Sequence, residues 1–374
     1  MKILVALGTR PEVIKLAPVI AALRERAQTV VCSTGQHREM LDQALSSFAI
    51  CPDHRLDVMS PGLSLNVLAS RLLGDVDRVL DEERPDWIVV QGDTTTAFCV
   101  GLAGFHRGIP IAHVEAGLRT RNLNSPFPEE ANRSLLAKIA RLHFAPTQLA
   151  RQNLLADGVE PESVVVTGNT VVDAIDQVRQ KWGRGWPETL PETLNLAPDQ
   201  RSVLVTCHRR ENFGAVLEGF CAMLREQCRR YADYRWIFPV HLNPGVRAPV
   251  MRLLGNITNL SLIDPVDYDT SLYLISRSAL VVSDSGGIQE ESPSFGVPIV
   301  VMRTHTERQE GVSAGFASLA GQDPGHVASA IQGWLDHPER MHALRGRPNP
   351  YGDGQAARRI AACLLGESFA EFQE

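Results

Sequence analysis

Ionisable side chains follow several short apolar runs in this sequence of 374 residues. Asp93 comes just after WIVVQ, Glu115 directly after PIAHV, and His208 after SVLVTC. Carboxyl and imidazole groups within hydrogen-bond reach of a substrate can donate and accept protons during a reaction. The residue types therefore predict an acid–base site where these runs end.

The segment SPFPEEANR adds a further carboxylate and an arginine, Glu129 and Arg133. The two residues are four apart and would lie on one face of a helix. An exposed ion pair of little energetic weight is the structural alternative for this pair. Several carboxylates, histidines and arginines at the ends of neighbouring strands favour a functional site over chance packing.

A phosphate-binding turn is predicted at SDSGGIQEES, residues 283–292. Gly286 and Gly287 lack side chains, so backbone N–H groups at a helix start can approach phosphate oxygens, and Ser285 can add a hydroxyl. Glu290 or Glu291 would repel phosphate but can accept hydrogen bonds from ribose hydroxyls. The combination favours a nucleotide. A tight strand–helix turn with a solvated acidic first turn is the alternative.

The first apolar run, KILVAL, leads into GTRPEVIK. Gly8 is expected to permit a tight turn, and Pro11 suits the first position of a helix. Arg10 and Lys15 would add positive charge to the free N–H groups of the helix start, which can bind an anion. The segment matches neither a P-loop nor a GxGxxG dinucleotide motif. A capped helix with solvated basic residues is the alternative.

The fold follows from the alternation of short β-branched runs with longer amphipathic segments. Such a pattern predicts parallel sheets covered by helices on both faces. It breaks at residues 182–201, WGRGWPETLPETLNLAPDQR, which favours a linker between two α/β units over an excursion within one large sheet. Two doubly wound, Rossmann-like domains facing a central cleft would bind a ligand at the carboxyl ends of their strands.

Composition excludes several other classes of protein. The apolar fraction is 44% and the formal net charge is −6, which does not indicate a nucleic-acid-binding surface. Seven scattered cysteines form no CxxC pair, so neither a disulfide framework nor a zinc site is expected. MKILVALGTRPE is too short in its apolar part for a signal peptide or a membrane span, and a cytosolic protein is expected.

A series of motifs along the whole chain resembles the non-hydrolysing UDP-N-acetylglucosamine 2-epimerases. The motifs are GTRPEVIKLAP, QHREMLDQ, GDTTT, HVEAGLRT, PEEANR, GNTVVDA, HRREN, PVHLNP, DSGGIQEE, TERQE and NPYGDGQA. The resemblance implies a GT-B-like homodimer that interconverts UDP-GlcNAc and UDP-ManNAc without a redox cofactor or a required metal, in the supply route for bacterial surface polysaccharides. It implies elimination of UDP to 2-acetamidoglucal, followed by re-addition.

The same resemblance implies roles for individual residues. Asp93, Glu115 and Glu129 would share the proton transfers, and His208 would assist departure of UDP. The remaining implied substrate-binding residues are Arg10, Lys15, Arg133, Ser285, Gly286, Gly287, Glu291 and Arg308. The expected domains are residues 1–169, completed by a C-terminal helix within 354–374, for the sugar end, and residues 170–353 for UDP.

The chain departs from the family pattern at three positions. Leu63 stands where many relatives carry a glutamine, in a segment linked to a second, regulatory UDP-GlcNAc site. The rest of that implied regulatory set is present as Gln36, His37, Arg210 and His241. Val266 and Ser271 replace a glutamine and an aromatic residue that relatives often place near the uracil, so base preference is less firmly implied than diphosphate binding.

Three other functions remain open from the sequence. A GT-B glycosyltransferase would use the same nucleotide but would need an acceptor groove. A hydrolysing epimerase would release ManNAc and UDP, and usually carries a kinase domain that is absent from this sequence. A regulator that binds a sugar nucleotide without turnover has no need of Asp93, Glu115, Glu129 and His208.

Overall fold

The computed structural model describes residues 1–35, 38–60, 62–182, 196–197, 200–207 and 214–373, and of residues 38–40 the backbone alone. The chain divides into two compact units, residues 1–177 with 351–374, and residues 178–350. The domain bounds expected from the sequence differ from the bounds of these units by eight residues at the first boundary and by three at the second. The expected domains stay a prediction. Most of the predicted linker, 182–201, lies outside the described residues.

The first unit contains one parallel sheet with the strand order β3-β2-β1-β4-β5-β6-β7. Its strands are β1 (Lys2–Leu7), β2 (Gln28–Ser33), β3 (His54–Arg55), β4 (Trp87–Gln91), β5 (Ile111–Val114), β6 (Leu142–Ala145) and β7 (Val164–Val166). The helices between them are α1 (Arg10–Arg24), α2 (Arg38–Ser47), α3 (Leu65–Glu83), α4 (Thr95–His106), α5 (Glu129–Ile139) and α6 (Gln148–Ala156). Helix α7 (Thr170–Trp182) runs on across the boundary between the units.

Alternate side chains of β1 enter the cores on opposite faces of this sheet, because successive residues of a strand point in opposite directions. Ile3 and Val5 pack with α1 and α2, whereas Leu4 and Ala6 pack with α3 and α4. Helix α15 (Ala356–Leu364) packs against the same core as α1, through Ile360 and its neighbours. Burial on both faces explains why the strands are continuous apolar runs.

The second unit contains a parallel sheet with the strand order β10-β9-β8-β11-β12-β13. Its strands are β8 (Ser202–Thr206), β9 (Arg235–Pro239), β10 (Leu260–Ile263), β11 (Ser278–Ser283), β12 (Ile299–Val301) and β13 (Ala317–Leu319). The helices are α8 (Ala215–Arg230), α9 (Pro244–Leu254), α10 (Tyr268–Arg277), α11 (Gly286–Glu291), α12 (Gln309–Ser313), α13 (Pro324–Leu335) and α14 (Pro338–His342). Trp236 and Phe238 of β9 are fully buried beneath α8 and α9.

The predicted fold class, two Rossmann-like doubly wound parallel sheets, is confirmed. In each sheet the strand order reverses beside the first strand, between β1 and β4 in one unit and between β8 and β11 in the other. Ligands of open α/β sheets bind outside the carboxyl ends of the strands at such switch points. The candidate residues follow these strands and their neighbours. No helix in the described part of the chain has the length and apolarity that a bilayer span requires.

Candidate functional site

Glu115, directly after β5, is held by donors on both oxygens. The Lys15 ammonium lies 2.5 Å from Oε1, and the amide of Gln91 donates a hydrogen bond to Oε2. Lys15 comes from α1. Gln91 is the last residue of β4 and is paired with Val114 of β5. The ion pair is buried, with side-chain exposures of 8% and 5%. Two elements, α1 and β4, therefore hold the Glu115 carboxylate in place.

The backbone at Glu115 is in the left-handed region, with a φ of 61°. Residues with a side chain rarely adopt this conformation, and such strain is retained where the surrounding structure demands it, often at functional sites. The turn aims the carboxylate back across the carboxyl ends of β4 and β5, towards Gln91. The sequence prediction that Glu115 lies at a strand end is confirmed.

Asp93 and Arg133 form a second ion pair, with Asp93 Oδ2 2.8 Å from Arg133 Nη2. The side chain of Arg133 is 4% exposed and that of Asp93 is 26% exposed. Because Arg133 is buried, the alternative of an exposed Glu129–Arg133 ion pair does not describe it. Asn132 holds the backbone in place by donating to the Asp93 carbonyl at 2.9 Å. Arg133 Nη1 is buried and has no hydrogen-bond partner among the described residues, so it retains a donor for a ligand.

Helix α5 begins with two glutamates that lie in different surroundings. Glu129 is half-buried and is the first residue of the helix. Glu130 is buried, accepts hydrogen bonds from the backbone N–H groups of Thr120 and Arg121, both at 3.0 Å, and lies 3.6 Å from Arg133 Nε. Glu130 thus ties the loop after β5 to α5. The neighbouring glutamate remains the candidate for contact with a substrate.

Glu12, to which the residue pattern alone assigned no role, is a fully buried carboxylate on α1. Its Oε2 accepts from Gly8 N at 3.0 Å and from Thr9 Oγ1 at 2.8 Å, and its Oε1 accepts from Thr94 Oγ1 at 2.7 Å. Burial raises the pKa of Glu12 to about 7, although the hydrogen bonds from Thr94, Thr9 and Gly8 act in the opposite direction.

The expected reason for Gly8, freedom in a tight turn, is wrong. Gly8 has no positive φ; instead, a Cβ there would lie 2.3 Å from Thr34 Oγ1 and 2.4 Å from Thr96 Oγ1. A close approach of neighbouring hydroxyls therefore excludes a side chain. Arg10, two residues later, is half-buried at the first position of α1, and Pro11 follows it as expected.

His113, on β5 between two candidate loops, is fully buried. Its Nε2 lies 2.7 Å from the carbonyl oxygen of Gly92. Burial lowers the pKa of His113 to about 3, and the charges of His143, Arg119 and Arg133 act in the same direction. The imidazole is therefore neutral at physiological pH and supports the turn that carries Asp93.

In the second unit, β11 leads through Asp284 into α11, and Ser285 is the residue before the helix. A Cβ on Gly286 would lie 2.8 Å from Cζ of Arg308, whereas one on Gly287 would meet Glu291 Oε1 at an ordinary 3.6 Å. Gly286 is therefore required because a guanidinium lies against its backbone. Phosphate binding at these glycines stays a prediction; the close approach present at Gly286 is that of the Arg308 guanidinium.

Two glutamates, of which Glu290 is buried, hold Arg308 in this position. Glu290 Oε1 accepts from Arg308 Nε at 2.8 Å, and Glu307 contacts Arg308 Nη1. Glu290 and Glu291 are 1% and 7% exposed, so the solvated acidic first turn considered as an alternative is wrong. Glu290 and Glu307 thus fix the guanidinium of Arg308 against the first residue of α11.

One group of side chains in the described part of the chain has the spacing of a metal site, His54 with Glu82 and Glu83. Glu83 Oε1 lies 2.7 Å from His54 Nε2, and its Oε2 lies 3.0 Å from the ammonium of Lys2. Both oxygens of Glu83 are therefore engaged within the protein. These contacts account for the cluster as an ion-pair network.

A comparison with known proteins assigns the chain to a family. A family model described as UDP-N-acetylglucosamine 2-epimerase matches residues 21–365. The chain belongs to the UDP-N-acetylglucosamine 2-epimerase family. The UDP-N-acetylglucosamine 2-epimerase of Escherichia coli K12 is 44% identical over 97% of this chain and 98% of that protein. A probable UDP-N-acetylglucosamine 2-epimerase of Ralstonia solanacearum is 47% identical, again over 97% and 98%.

A solved epimerase structure has the same fold. The UDP-GlcNAc 2-epimerase of Neisseria meningitidis bound to UDP-GlcNAc has a TM-score of 0.93 and 41% identity, over 98% of this chain and 100% of that one. The resemblance to the epimerase family expected from the sequence is confirmed, as is the GT-B-like class of the fold.

Several residues expected in an epimerase site lie outside the described residues, namely Gln36, His37, His208 and Arg210. His241 is exposed just after β9, and its Nδ1 accepts from Asn243 N at 3.1 Å. Leu63 is half-buried next to Ser64, the residue before α3. Val266 and Ser271 are half-buried at either side of the start of α10. These departures from the epimerase pattern remain predictions about regulation and base preference.

Proposed function

We propose that the protein interconverts UDP-GlcNAc and UDP-ManNAc by epimerisation at C2. The observation that carries the proposal is the buried Lys15–Glu115 pair beside the Asp93–Arg133 pair, in a member of the epimerase family. The relative from Neisseria meningitidis, described as bound to UDP-GlcNAc, supports the choice of substrate. Two ionic pairs near one switch point supply carboxylates and cations together, which a simple binding pocket does not need.

The chemistry requires more than one acid–base group. The C2 proton of an N-acetylhexosamine has no adjacent carbonyl to acidify it, so direct deprotonation would be slow. Eliminating UDP from C1 while the C2 proton leaves gives neutral 2-acetamidoglucal, to which UDP adds back with the opposite configuration at C2. Elimination from the gluco substrate is anti and addition to give the manno product is syn, so protons are handled on both ring faces.

The carboxylates near the first sheet fit the proton transfers. Glu115, which Lys15 and Gln91 hold at the carboxyl ends of β4 and β5, is one candidate for these transfers. Asp93 is more exposed and has Arg133 to stabilise its charge, and Glu129 begins the next helix. Each acid–base group can contribute roughly 10²–10⁴-fold to the rate.

The second unit fits the departing diphosphate. Negative charge grows on the leaving oxygen as the C1–O bond breaks, and fixed cations stabilise it by roughly 10²–10³-fold for each well-placed donor. Arg308, fixed by Glu290 against Gly286 at the start of α11, is such a donor. Arg10, in the first unit, stays a predicted substrate-binding residue. Glu291 would accept from the ribose hydroxyls, and His208 would assist departure of UDP.

The proposal extends to the setting of the reaction. We expect a homodimer in the cytoplasm that requires neither a redox cofactor nor a metal ion and supplies UDP-ManNAc for surface polysaccharide. The family relationship supports these points. Light scattering on the purified protein measures the oligomeric state, and assay after dialysis against EDTA measures the metal requirement.

Proton and phosphorus NMR of UDP-GlcNAc with the purified protein in D₂O tests the main proposal. UDP-ManNAc with deuterium at C2 is the expected product. Accumulation of UDP and free ManNAc would instead identify a hydrolysing enzyme. Broadened ligand signals without turnover would identify a binding protein, and no reaction until an acceptor is added would identify a transferase.

The same experiment tests the role of Asp93. Asp93→Asn is expected to reduce the rate of deuterium incorporation by at least about 10²-fold. Asp77→Asn is the matched control, since Asp77 also pairs with an arginine, Arg107, but on the exposed surface of α3. Normal deuterium incorporation by the Asp93 variant would remove Asp93 from the proton transfers.

A further inference from the structure

The buried carboxylate of Glu12 connects two loops that are distant in sequence. Through Oε2 it binds Gly8 and Thr9 in the loop between β1 and α1, and through Oε1 it binds Thr94, 82 residues along the chain, in the loop between β4 and α4. Strands β1 and β4 are neighbours in the sheet, and the strand order reverses between them. Glu12 therefore spans the switch point of the first unit.

Each of these anchors adjoins a residue proposed to meet the substrate. Thr9 directly precedes Arg10, and Thr94 directly follows Asp93. Thr94 is also the residue before α4, where its hydroxyl accepts from Ala97 N at 3.0 Å. A hydrogen bond from this hydroxyl to Glu12 thus fixes the start of α4 and the backbone of Asp93 relative to the start of α1.

This arrangement exceeds what capping of a helix requires. A glutamate in the third position of a helix ordinarily reaches back to the start of its own helix. Glu12 does so with one oxygen, but its other oxygen is engaged by the residue that begins a different helix. The carboxylate is 0% exposed, and burial of a carboxylate is costly unless donors satisfy it. The three donors come from both loops.

We propose that Glu12 is a positioning residue that keeps the β1–α1 and β4–α4 loops at one fixed spacing, so that Arg10 and Asp93 retain the arrangement that UDP elimination needs. The inference rests on the proposed epimerase function. Loss of the link lets the two loops move apart, which lowers kcat more than it changes KM.

The test uses Thr94, because removal of Glu12 would leave the Gly8 N–H without its acceptor and can prevent folding. Thr94→Val removes the hydroxyl but keeps the shape of the side chain. Thr147→Val is the matched control: Thr147 is likewise the residue before a helix, α6, and accepts from Ala150 N at 3.2 Å, but it lies outside the contacts of Glu12. Thr94→Ser keeps the hydroxyl and serves as the rescue.

Measured on UDP-GlcNAc, Thr94→Val is expected to lower kcat about 10–100-fold with a smaller change in KM, since small misplacements of reacting groups have effects of that size. Thr147→Val should lower the melting temperature by a similar amount and leave kcat near wild type. Thr94→Ser should recover most of kcat.

Two results would overturn the inference: equal kcat for the two valine variants, or a serine variant as impaired as Thr94→Val. Wild-type protein that forms no UDP-ManNAc would instead refute the proposed function itself, so the two failures can be told apart.

Discussion

Lys15 and Glu115 lie one hundred residues apart in the sequence, yet the Lys15 ammonium and Glu115 Oε1 are 2.5 Å apart in a buried ion pair. The pair joins the second turn of α1 to the strained residue after β5. Loss of one partner of a buried pair leaves the other charge without compensation. The buried negative charge of Glu115 is therefore compensated by the Lys15 ammonium.

Lys15→Met is expected to destabilise the protein by about 3–5 kcal/mol and to reduce kcat by at least about 10²-fold, because it leaves Glu115 buried without its cation. Chemical denaturation and the epimerase assay measure the two effects. Lys2→Met is the control, since Lys2 pairs with Glu83 at 3.0 Å but is 27% exposed. Equal activity of the two variants would contradict a role for Lys15 in the site.

Gln91→Glu is expected to raise the apparent pKa of the Glu115 site, because two adjacent carboxylates cannot both ionise easily. The pH at which kcat/KM rises should shift upward by at least about one unit. Gln91→Met removes the hydrogen bond without adding charge and should lower kcat without that shift. An unchanged pH profile in the glutamate variant would mean that Glu115 does not govern the pH dependence.

Gly286→Ala is expected to weaken UDP binding by about tenfold, because its Cβ would lie 2.8 Å from Cζ of Arg308 and displace the guanidinium. Isothermal titration with UDP measures the effect. Gly287→Ala, with its nearest contact at 3.6 Å, makes the same chemical change one residue along the helix and should bind UDP nearly as wild type. Equal affinities in the two variants would argue against Arg308 as a ligand of the diphosphate.

Asp173 should make stability depend on pH. Burial raises its pKa from 3.8 to about 6, even though it accepts from the N–H groups of Ala356 and Ala357 at the start of α15. The folded state thus holds the proton more tightly than the unfolded state. The stability of wild type relative to Asp173→Asn should therefore fall by about 2 kcal/mol as pH rises from 4 to 7.

Denaturant unfolding of both proteins at several pH values tests this sign. Asp77→Asn provides the contrast, because the hydrogen bond from Arg107 lowers the pKa of Asp77, so its contribution to stability is lost as pH falls. A relative stability of Asp173→Asn that does not vary between pH 4 and 7 would show that Asp173 titrates alike in both states.

The apolar runs predicted most of the strands, since KILVAL, WIVVQ and ALVVSD are buried on both faces and need no alternation to be recognised. The strands β3, β7 and β13 are harder to predict. They contain two or three residues each, which is too few to establish any periodicity. Their pairing depends on the neighbouring strand and not on their own composition.

Strand-end carboxylates were predictable from position, but their partners were not. The spacing of Thr9 and Glu12 matches a capping pattern, yet nothing local indicates that Glu12 also binds Thr94. Gln91 reaches Glu115 because β4 and β5 pair with Gln91 opposite Val114. Such contacts follow from strand order and register, which a single sequence does not specify.

The C-terminal helix α15 completes the core around α1, so the first unit is built from both ends of the chain. During translation, residues 351–374 are synthesised only after residues 178–350. Domains generally fold as units during synthesis, with the N-terminal one first. In this protein the second unit is synthesised in full before the first unit is complete. At that point the apolar side of α1 still lacks its contacts with Ile360 and Leu364.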